Sequence, residues 1–341
     1  MIARSWVVWR QYRAAALITA VLVAAFAALI AVTGAQVASQ WHSALAACVP
    51  ARSCGNLANT LFLGSHAVGF LVIMTLGVPA VLGILLGAPL LAHEFETGTH
   101  QYAWTQSVTR RRWLVAKAGW LLLAAAVIGG IVSALVTWWS GPDNALQADA
   151  FKPGRFDIMG IVPVGYAVFA VALGIAAGAL LRRTVPAIAV TLAGFIAVRM
   201  VVFFWLRAHF MAAVTSYIPL NRGFNAGSAW QLSAGYVGAS GQSIGIPQST
   251  TGPVLGGVNG NGLPLTALPG QCQAAAGNGP FTPASYRAVL SCAQAHGIRA
   301  FVTYQPASRY WAFQGIETGI FVLLAAALLA ITVAVVLRRD A

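Results

Sequence analysis

Long uncharged hydrophobic runs recur along this chain of 341 residues. A bilayer core of about 30 Å is crossed by about 20 apolar residues in a helix. Six runs reach this length without period-two alternation, which indicates helices rather than barrel strands. The predicted spans are 14–33, 66–92, 113–138, 160–181, 185–206 and Ile316–Leu337, the last within a segment 313–341 that ends in a short tail. The pattern predicts an all-α polytopic membrane protein with six transmembrane helices.

The first run could also belong to a secretory signal peptide, because arginines precede it and small residues follow it. Its apolar stretch of about 20 residues exceeds the 7 to 15 residues of a signal core. A retained helix is therefore favoured. A cleaved signal would leave five spans.

One long segment, 208–312, interrupts the bundle between the fifth and sixth spans. It contains no Asp or Glu and is dense in Gly and Pro, which predicts turns and irregular structure. One helix is predicted within it, because Thr282 can cap its start, Pro283 suits the first position and Gly297 can end it. The apolar stripe of this helix consists of Tyr286, Val289, Leu290 and Ala293.

Composition narrows the class of protein. Hydrophobic residues make up 59% of the chain and charged residues 8%, with a mean hydropathy of +0.76. Soluble proteins carry about 25% charged residues, so a soluble enzyme, a disordered scaffold and a nucleic-acid binder are all excluded. We expect the lipid bilayer, and no nucleic acid, as a partner.

The net charge of +13 follows the predicted topology. Ten arginines lie at the two termini and in the second-third and fourth-fifth loops, whereas the other short loops carry three basic residues. This positive-inside bias predicts cytoplasmic termini and an extracellular segment 208–312. The ten are Arg4, Arg10, Arg13, Arg110, Arg111, Arg112, Arg182, Arg183, Arg338 and Arg339.

All four cysteines fall in segments predicted to face the oxidising exterior, where disulfides persist. The simplest pairing joins Cys48 to Cys54 and Cys272 to Cys292. The connectivity stays open, because spacing alone does not decide it.

Two kinds of catalytic chemistry are disfavoured. His93 and Glu94 begin like a zinc protease motif, but the next histidine is His100, and HExxH needs its second histidine four residues after the first. The chain has only two lysines, Lys117 and Lys152, and neither lies in a GxxxxGK[ST] phosphate loop. We expect a non-enzymatic chain without a metal or cofactor of its own.

Three segments of the chain together carry a resemblance to a known family. They are RSWVVWRQYRAAAL (4–17), HEFETGTHQYAWTQSVTRRRWLVAK (93–117) and YQPASRYWAFQGIETGIF (304–321). In order and spacing, the chain resembles the ABC-2 family of bacterial ABC-transporter permeases. Within that family it is similar to the compact six-span subunits whose ATPase is a separate polypeptide. The middle segment carries the most specific part of this resemblance.

The resemblance implies a function and a set of partners. Residues 4–13 would form a connecting helix along the inner membrane surface, and Glu94–Gln106 would form a coupling helix seated on the ATPase. The implied coupling residues, within a loop 93–112, are Glu94, Phe95, Glu96, Thr97, Gly98, Thr99, Arg110, Arg111 and Arg112. Two cytoplasmic ATPases holding ATP and Mg, and a second permease chain, either identical or homologous, would complete an exporter of hydrophobic or amphipathic compounds in the bacterial cytoplasmic membrane.

The residues themselves are compatible with these roles. Residues 4–13 mix arginines with Trp6 and Trp9, as an interfacial helix does, although a charged topogenic flank would look the same. The loop after the second span has about 18 residues, more than a tight turn between two helices needs. The length of this loop argues against a simple cytoplasmic turn, whereas both interpretations of residues 4–13 stay open.

Intramembrane polarity and helix packing give further hypotheses. Arg199 lies eight residues before Arg207, roughly 12 Å deeper at 1.5 Å per residue if Arg207 is interfacial, and Glu317 is one of few acidic partners available. Snorkelling of Arg199 is the alternative. Pro79 predicts a bend in the second span. Three pairs of glycines have helix-packing spacing: Gly83 and Gly87, Gly174 and Gly178, and Gly315 and Gly319.

Two other functions are alternatives to the permease. An ion-gradient-driven secondary transporter would place carboxylates or broken helices at the bilayer midplane, whereas the acidic residues here lie outside the predicted spans or at their edges. A membrane-anchored sensor or envelope protein would use segment 208–312 to bind its ligand. Binding to an ATPase distinguishes the permease from both.

Overall fold

The computed structural model describes residues 17–36, 39, 66–98, 109–140, 151, 154–220, 229–244, 254–258, 261–277 and 282–339. The chain divides into two compact units. One is Met211–Arg309, and the other comprises the chain up to Phe210 and from Tyr310 onward. We describe each unit by itself.

The first unit is a helical bundle. Its described part contains six helices that are long and apolar enough to cross a membrane, which confirms the predicted number. The helices are α1 (Leu17–Gln36), α2 (His66–Leu82) continued through a π turn (Gly83–Gly87) into α3 (Ala88–Glu96), α4 (Arg110–Trp139), α5 (Val162–Leu181), α6 (Thr184–Val201) continued by a π segment (Val202–Leu206) and a 3₁₀ turn (Arg207–His209), and α9 (Tyr310–Arg339).

Two helix ends differ from the sequence prediction. The second span continues past Ala92 to Glu96, because the Glu94 carboxylate is paired inside the bundle and does not need water. The last helix begins at Tyr310, within the segment predicted to end the insertion at residue 312. Polar side chains with partners in neighbouring helices extend a helix beyond its purely apolar stretch.

Helix α5 is the centre of the bundle, with fifteen of its twenty residues buried. Two of the predicted glycine pairs pack against each other here. A Cβ placed on Gly87 would lie 2.5 Å from the Val171 carbonyl oxygen, and one on Gly174 would lie 2.6 Å from the Gly83 carbonyl oxygen. The backbones of the second span and α5 approach closely because these positions have no side chain. At the third pair, Gly315 and Gly319, an added Cβ would meet no described atom within 4 Å.

The second span changes its hydrogen-bond pattern close to Pro79. Helix α2 runs through this proline, and the π turn begins four residues later at Gly83. Proline removes one backbone donor, and a π turn is a common way for a helix to absorb such a local defect. The structure thus shows a π turn beside Pro79, and the bend predicted from this proline stays a prediction.

The second unit is a small α/β fold. Its four-stranded antiparallel sheet has the order β1-β6-β2-β3, and a separate hairpin pairs β4 with β5. The strands are β1 (Val214–Ile218), β2 (Trp230–Val237), β3 (Ser243–Ile244), β4 (Val254–Val258), β5 (Asn261–Pro264) and β6 (Arg299–Gln305). The prediction of turns and irregular structure was wrong, because a central strand rich in β-branched and aromatic residues, RAFVTYQ, organises a sheet between the Gly-rich turns.

Helices α7 (Gly270–Ala274) and α8 (Pro283–Ala295) cover the apolar side of this unit. The predicted helix is confirmed as α8, since Thr282 caps it in a capping box with Ser285 and Gly297 follows at φ 73°. Cys272 and Cys292 form a disulfide that joins the two helices, as predicted. The core contains Tyr236, Leu263, Leu268, Val289, Leu290, Ala293, Ile298 and Ala300.

The close approach of the second span to α5 can be tested with Gly87→Ala. The added methyl group would collide with the Val171 carbonyl, which belongs to the backbone and cannot rotate away. We expect a loss of about 1–3 kcal/mol in unfolding free energy, the usual cost of overpacking. Thermal unfolding of the purified protein in detergent measures it.

Gly119→Ala is the matched control, because Gly119 has no described atom within 4 Å of the new methyl position. This variant should unfold at or above the wild-type temperature. Equal unfolding temperatures for the two variants would contradict the packing argument.

Candidate functional site

Five polar side chains come together inside the bundle where α5 begins and α6 ends. We call Asp157, Tyr166, Arg199, Arg207 and Glu317 the buried charge cluster. Asp157 lies just before α5, Tyr166 in its first two turns, both arginines in the fifth span and Glu317 in α9. Arg207, Asp157 and Glu317 expose 2%, 3% and 0% of their surfaces, so their charges are compensated by one another rather than by water.

Arg207 is the centre of the cluster. Its Nε and one terminal nitrogen donate to the two carboxylate oxygens of Glu317 at 2.8 and 2.7 Å. The same terminal nitrogen also donates to Asp157. The guanidinium lies 4.6 Å above the Phe156 ring and 5.1 Å from the Phe203 ring. A planar cation suits this site, because it can bind a carboxylate with two bonds and stack on aromatic faces.

Tyr166 bridges the two acidic groups. Its hydroxyl lies 2.8 Å from Asp157 Oδ1 and 2.5 Å from Glu317 Oε1. A phenol has one proton, so it donates to one carboxylate while the arginine hydrogens satisfy the other. The hydroxyl therefore lets two buried carboxylates share a site with few donors.

Arg199 completes the charge balance. One terminal nitrogen lies 3.8 Å from Asp157 Oδ1, the other donates to the Leu76 carbonyl at 3.3 Å, and the guanidinium stacks 4.7 Å from the Tyr166 ring. Burial by itself would raise the pKa of the Asp157 carboxyl, but the positive charges of Arg207 and Arg199 outweigh it and hold that pKa below its ordinary value. Two guanidinium groups face two carboxylates, so the formal charges cancel.

The segment before α5 is held in place by Gln314 of α9. Its side-chain oxygen accepts from the backbone N–H groups of Ile161 and Val162 at 2.9 and 3.0 Å, and its nitrogen donates to the Phe156 and Met159 carbonyls. These N–H groups lie at the start of α5, where backbone donors have no acceptor within their own helix. The amide thus fixes the segment that carries Asp157. Rings of Phe151, Phe156, Tyr310 and Phe313 pack edge to face beside it.

The structure places the two intramembrane polar candidates from the sequence, Arg199 and Glu317, in the same cluster. Arg207 binds Glu317, whereas Arg199 faces Asp157. The expected depth of Arg199 in the membrane assumed that Arg207 lies at the membrane interface. In the structure Arg207 is instead the most buried cation of the cluster. Glu317 is also fully buried within α9, two turns from its start, so the expectation that every acidic residue stays outside the spans or at their edges does not hold for it.

The opposite end of the bundle carries the residues predicted for coupling. Glu94 belongs to the last turns of α3, is buried and pairs with Lys117 of α4, whose ammonium also lies 4.5 Å from the Trp113 ring. Glu94, expected in the loop 93–112, therefore lies in the helix of the second span. A lysine within reach offsets the cost of burying this carboxylate, and the pair joins the second and third spans.

Glu96 makes a second connection from the same helix end. Its Oε2 accepts from the backbone N–H of Thr184 at 3.2 Å and from the Thr184 hydroxyl at 2.7 Å. Thr184 is the first residue of α6, and Arg183 before it provides no side-chain cap. A carboxylate from α3 therefore caps the positive end of α6, where negative charge is stabilising.

The other predicted coupling residues fall around these contacts. The Phe95 ring lies 4.9 Å from the Arg182 guanidinium, the Thr97 hydroxyl donates to the His93 carbonyl, and Gly98 follows with φ 71°. Arg110 begins α4, and the side chains of Arg111 and Arg112 are exposed. Thr99, the connecting segment 4–13, Cys48 and Cys54 lie outside the described residues.

Comparison with known proteins adds the family. A family model described as ABC-2 membrane transporter related matches residues 20–207, more than half of the chain. The chain belongs to the ABC-2 membrane transporter related family. No curated protein and no solved structure matches the chain.

Membership in the ABC-2 family makes this chain a multi-pass membrane protein and a component of membrane transport. Family membership also implies association with an ABC ATPase in general. The match covers the first five spans, including both ends of the loop between α3 and α4. The polar contacts described above thus lie mostly in the part of the chain that defines the family, with Glu317 and Gln314 outside it.

Sequence reasoning missed several members of these clusters. Asp157, Tyr166 and Lys117 were not singled out, and Thr184 was not considered. A signal existed for two of them, because a lysine inside a predicted span and an aspartate directly before one are both costly in lipid unless paired. The identity of the partners depends on helix packing, which spacing along the chain does not reveal.

The charge cluster generates a prediction for Glu317→Gln. This variant removes one carboxylate charge while Arg207 stays buried, and breaking a buried pair costs about 3–5 kcal/mol of stability. We expect a clearly lower unfolding temperature in detergent, measured by intrinsic tryptophan fluorescence.

Glu96→Gln makes the same chemical change at an exposed carboxylate that caps α6, so we expect a much smaller fall in the unfolding temperature. If Glu317→Gln unfolds like Glu96→Gln, the cluster does not stabilise the bundle in the way described.

Proposed function

We propose that this protein is the permease subunit of an ATP-driven ABC exporter. The observation that carries the proposal is the bond between Glu96 and Thr184, taken together with family membership. Glu96 is the last residue of α3 and lies in the segment Glu94–Gln106 that the resemblance assigns to ATPase coupling. We call the residues between α3 and α4 the loop 97–109. A force applied to this loop therefore reaches the start of α6 through a direct contact.

The path of that force continues along the fifth span. Along its length α6 buries only Ala187, Thr191 and Phe195, whereas α5 is buried along most of its length. Polar contacts hold the fifth span at both ends, Thr184 at one and Arg207 at the other. Because few residues in the middle of the fifth span are buried, the span can tilt as one body. A movement of its Thr184 end is then passed to its Arg207 end. The tilt would pull on the buried charge cluster, and through Glu317 on α9.

The proposed cycle uses differential affinity for nucleotide. Two cytoplasmic ATPase subunits holding ATP and Mg close on each other, move the loop and favour one of two conformations of the bundle, because ATP binds the closed arrangement better. A second permease chain, identical or homologous, supplies the other half of the pathway. In this proposal both termini and the loop 97–109 face the cytoplasm of a bacterial cell, and the Met211–Arg309 unit is extracellular.

The proposed cargo is hydrophobic or amphipathic, such as a drug, an antibiotic or a lipid. Support comes from the surfaces of the second and fifth spans, whose exposed side chains in the described part of the chain are mostly large and apolar. The charged side chain near the middle of the fifth span, Arg199, is half-buried against Asp157 and Tyr166. The exposed apolar side chains include Phe70, Ile73, Met74, Val81, Val190, Ile196 and Met200. Such a surface solvates apolar molecules and offers little to a polar nutrient, which favours export over uptake.

An ion-gradient-driven mechanism would require a carboxylate free to gain and lose a proton. Glu317 is the buried carboxylate of the last span, but both of its oxygens accept from Arg207 and one also contacts Tyr166. Both oxygens of Glu317 are thus engaged by neighbouring donors, which supports a structural role for the cluster.

The proposal is tested by reconstituting the chain with its ABC ATPase in lipid nanodiscs and measuring ATP hydrolysis. We expect a stable complex whose ATPase rate exceeds that of the isolated ATPase. A chain that neither binds the ATPase nor changes its rate would overturn the proposal.

Thr184→Val tests the transmission step. It removes the hydroxyl that donates to Glu96 and keeps the shape of the side chain, so the complex should form while stimulation of ATP hydrolysis falls by about two- to fivefold, the range of one modest hydrogen bond. Thr332→Val is the control, because the Thr332 hydroxyl donates only within its own helix to Leu328. Equal stimulation by the two variants would exclude Glu96–Thr184 as the transmitting contact.

A further inference from the structure

The turn between α5 and α6 has an unusual backbone. Arg182 adopts φ 54°, the one positive φ of a residue other than glycine in the part of the chain that the structure describes. Helices commonly end with glycine in this conformation, because a side chain there is strained. An arginine at this position carries a backbone strain that glycine would avoid.

The contribution of Arg182 is a contact with the end of the second span. Its guanidinium stacks 4.9 Å from the Phe95 ring, while Glu96 caps α6 through Thr184. These two contacts join the turn to the helix end that leads into the loop 97–109. We call Phe95, Glu96, Arg182, Arg183 and Thr184 the turn surface.

The turn surface includes Glu96, after which the loop 97–109 begins. Arg111 and Arg112 lie in the first turn of α4, where the loop ends. The loop leaves from Glu96, and α4 begins at Arg110 after thirteen intervening residues. Any protein seated on this loop therefore meets exposed arginines at the loop's two ends. Arg183 is exposed, with an extended backbone, whereas Arg182 is half-buried against Phe95.

The exposed charged side chains at this end of the bundle are mostly positive. Among the described residues, the exposed side chains here include the cations Arg111, Arg112, Arg183 and Arg338, and Glu96 is the exposed acid. Glu96 is already engaged by Thr184. The surface that complements this end is therefore acidic, and a complementary charge at the rim of an interface speeds association and fixes its register.

We propose that Arg183 is a second contact for the ABC ATPase, binding a carboxylate outside the cleft that receives the loop 97–109. The inference rests on the proposed function and extends it, since it places the ATPase on the α5–α6 turn as well as on the loop. Two contacts, one at each end of the Glu96–Thr184 bond, let the ATPase hold α3 and α6 together while it moves them. Anionic lipid headgroups are the competing occupant of an exposed arginine at this level.

Site-specific photocrosslinking in cells tests the contact. A benzophenone amino acid is placed at Thr97, at Arg183 and, as control, at Arg299, an exposed arginine of the Met211–Arg309 unit. Cross-linked products are identified by mass spectrometry. We expect Thr97 and Arg183 to cross-link to a protein with a Walker A motif and Arg299 not to do so.

The outcomes separate the two proposals. Cross-linking from Thr97 alone would refute the second contact and leave the exporter assignment standing. Products from Arg183 that contain only lipid would refute it as well. Absence of an ATPase product from both positions would contradict the exporter assignment together with this inference.

A charge reversal gives a quantitative check on the full complex. Arg183→Glu should weaken ATPase binding in nanodiscs about tenfold, mostly through slower association, and the loss should shrink as salt increases. Arg183→Lys should retain most of the affinity, and Arg299→Glu should bind like the wild type. Unchanged unfolding temperatures show that the fold is intact, and unchanged binding by Arg183→Glu would overturn the proposal.

Discussion

Compensation of buried charge is the constraint on which the bundle depends. Arg207 lies where neither water nor headgroups reach it, so its charge is tolerable only because Glu317 and Asp157 bind it directly. These three side chains come from the fifth span, α9 and the segment before α5. The need to neutralise one cation therefore brings together elements that are far apart along the chain. Tyr166 then donates to a carboxylate of the cluster, and Gln314 accepts from backbone N–H groups at the start of α5.

The two polar connections of the fifth span differ in strength. At one end Glu96 caps α6 with a bond that is exposed and exchangeable, and at the other end Arg207 holds the span with bonds that are buried and costly to break. The fifth span is held weakly at its Glu96 end and strongly at its Arg207 end. A displacement applied at the weakly held end therefore moves the helix about the strongly held end. The glycine contacts between the second span and α5 add a rigid core beside it, since backbones in contact have no side chains that can rearrange. This asymmetry gives the ATP-driven proposal its mechanical basis.

Much of the framework could be predicted from the sequence, because lipid allows few alternatives. Six helices follow from uncharged runs, two glycine pairs and helix α8 follow from local spacing, and the disulfide follows from cysteine placement. The partners of Arg199 and Glu317 did not follow, since they depend on which helix faces meet. The sheet around β6 was missed because abundant glycine obscured the strand pattern and the paired residues lie 62 to 90 positions apart. Glu94 was predicted in the loop after the second span but lies in α3. Its partner, Lys117, belongs to another helix, so the sequence around Glu94 does not reveal the pair.

The proposed mechanism depends most directly on the loop 97–109 being an internal lever gripped by an ATPase. A single reactive cysteine in place of Thr97 can be probed with a membrane-impermeant maleimide in intact cells and in inside-out vesicles. We expect no labelling in cells, labelling in vesicles, and protection of the vesicles when the ATPase is bound. Labelling in intact cells, or labelling in vesicles that the bound ATPase leaves unchanged, would contradict the mechanism.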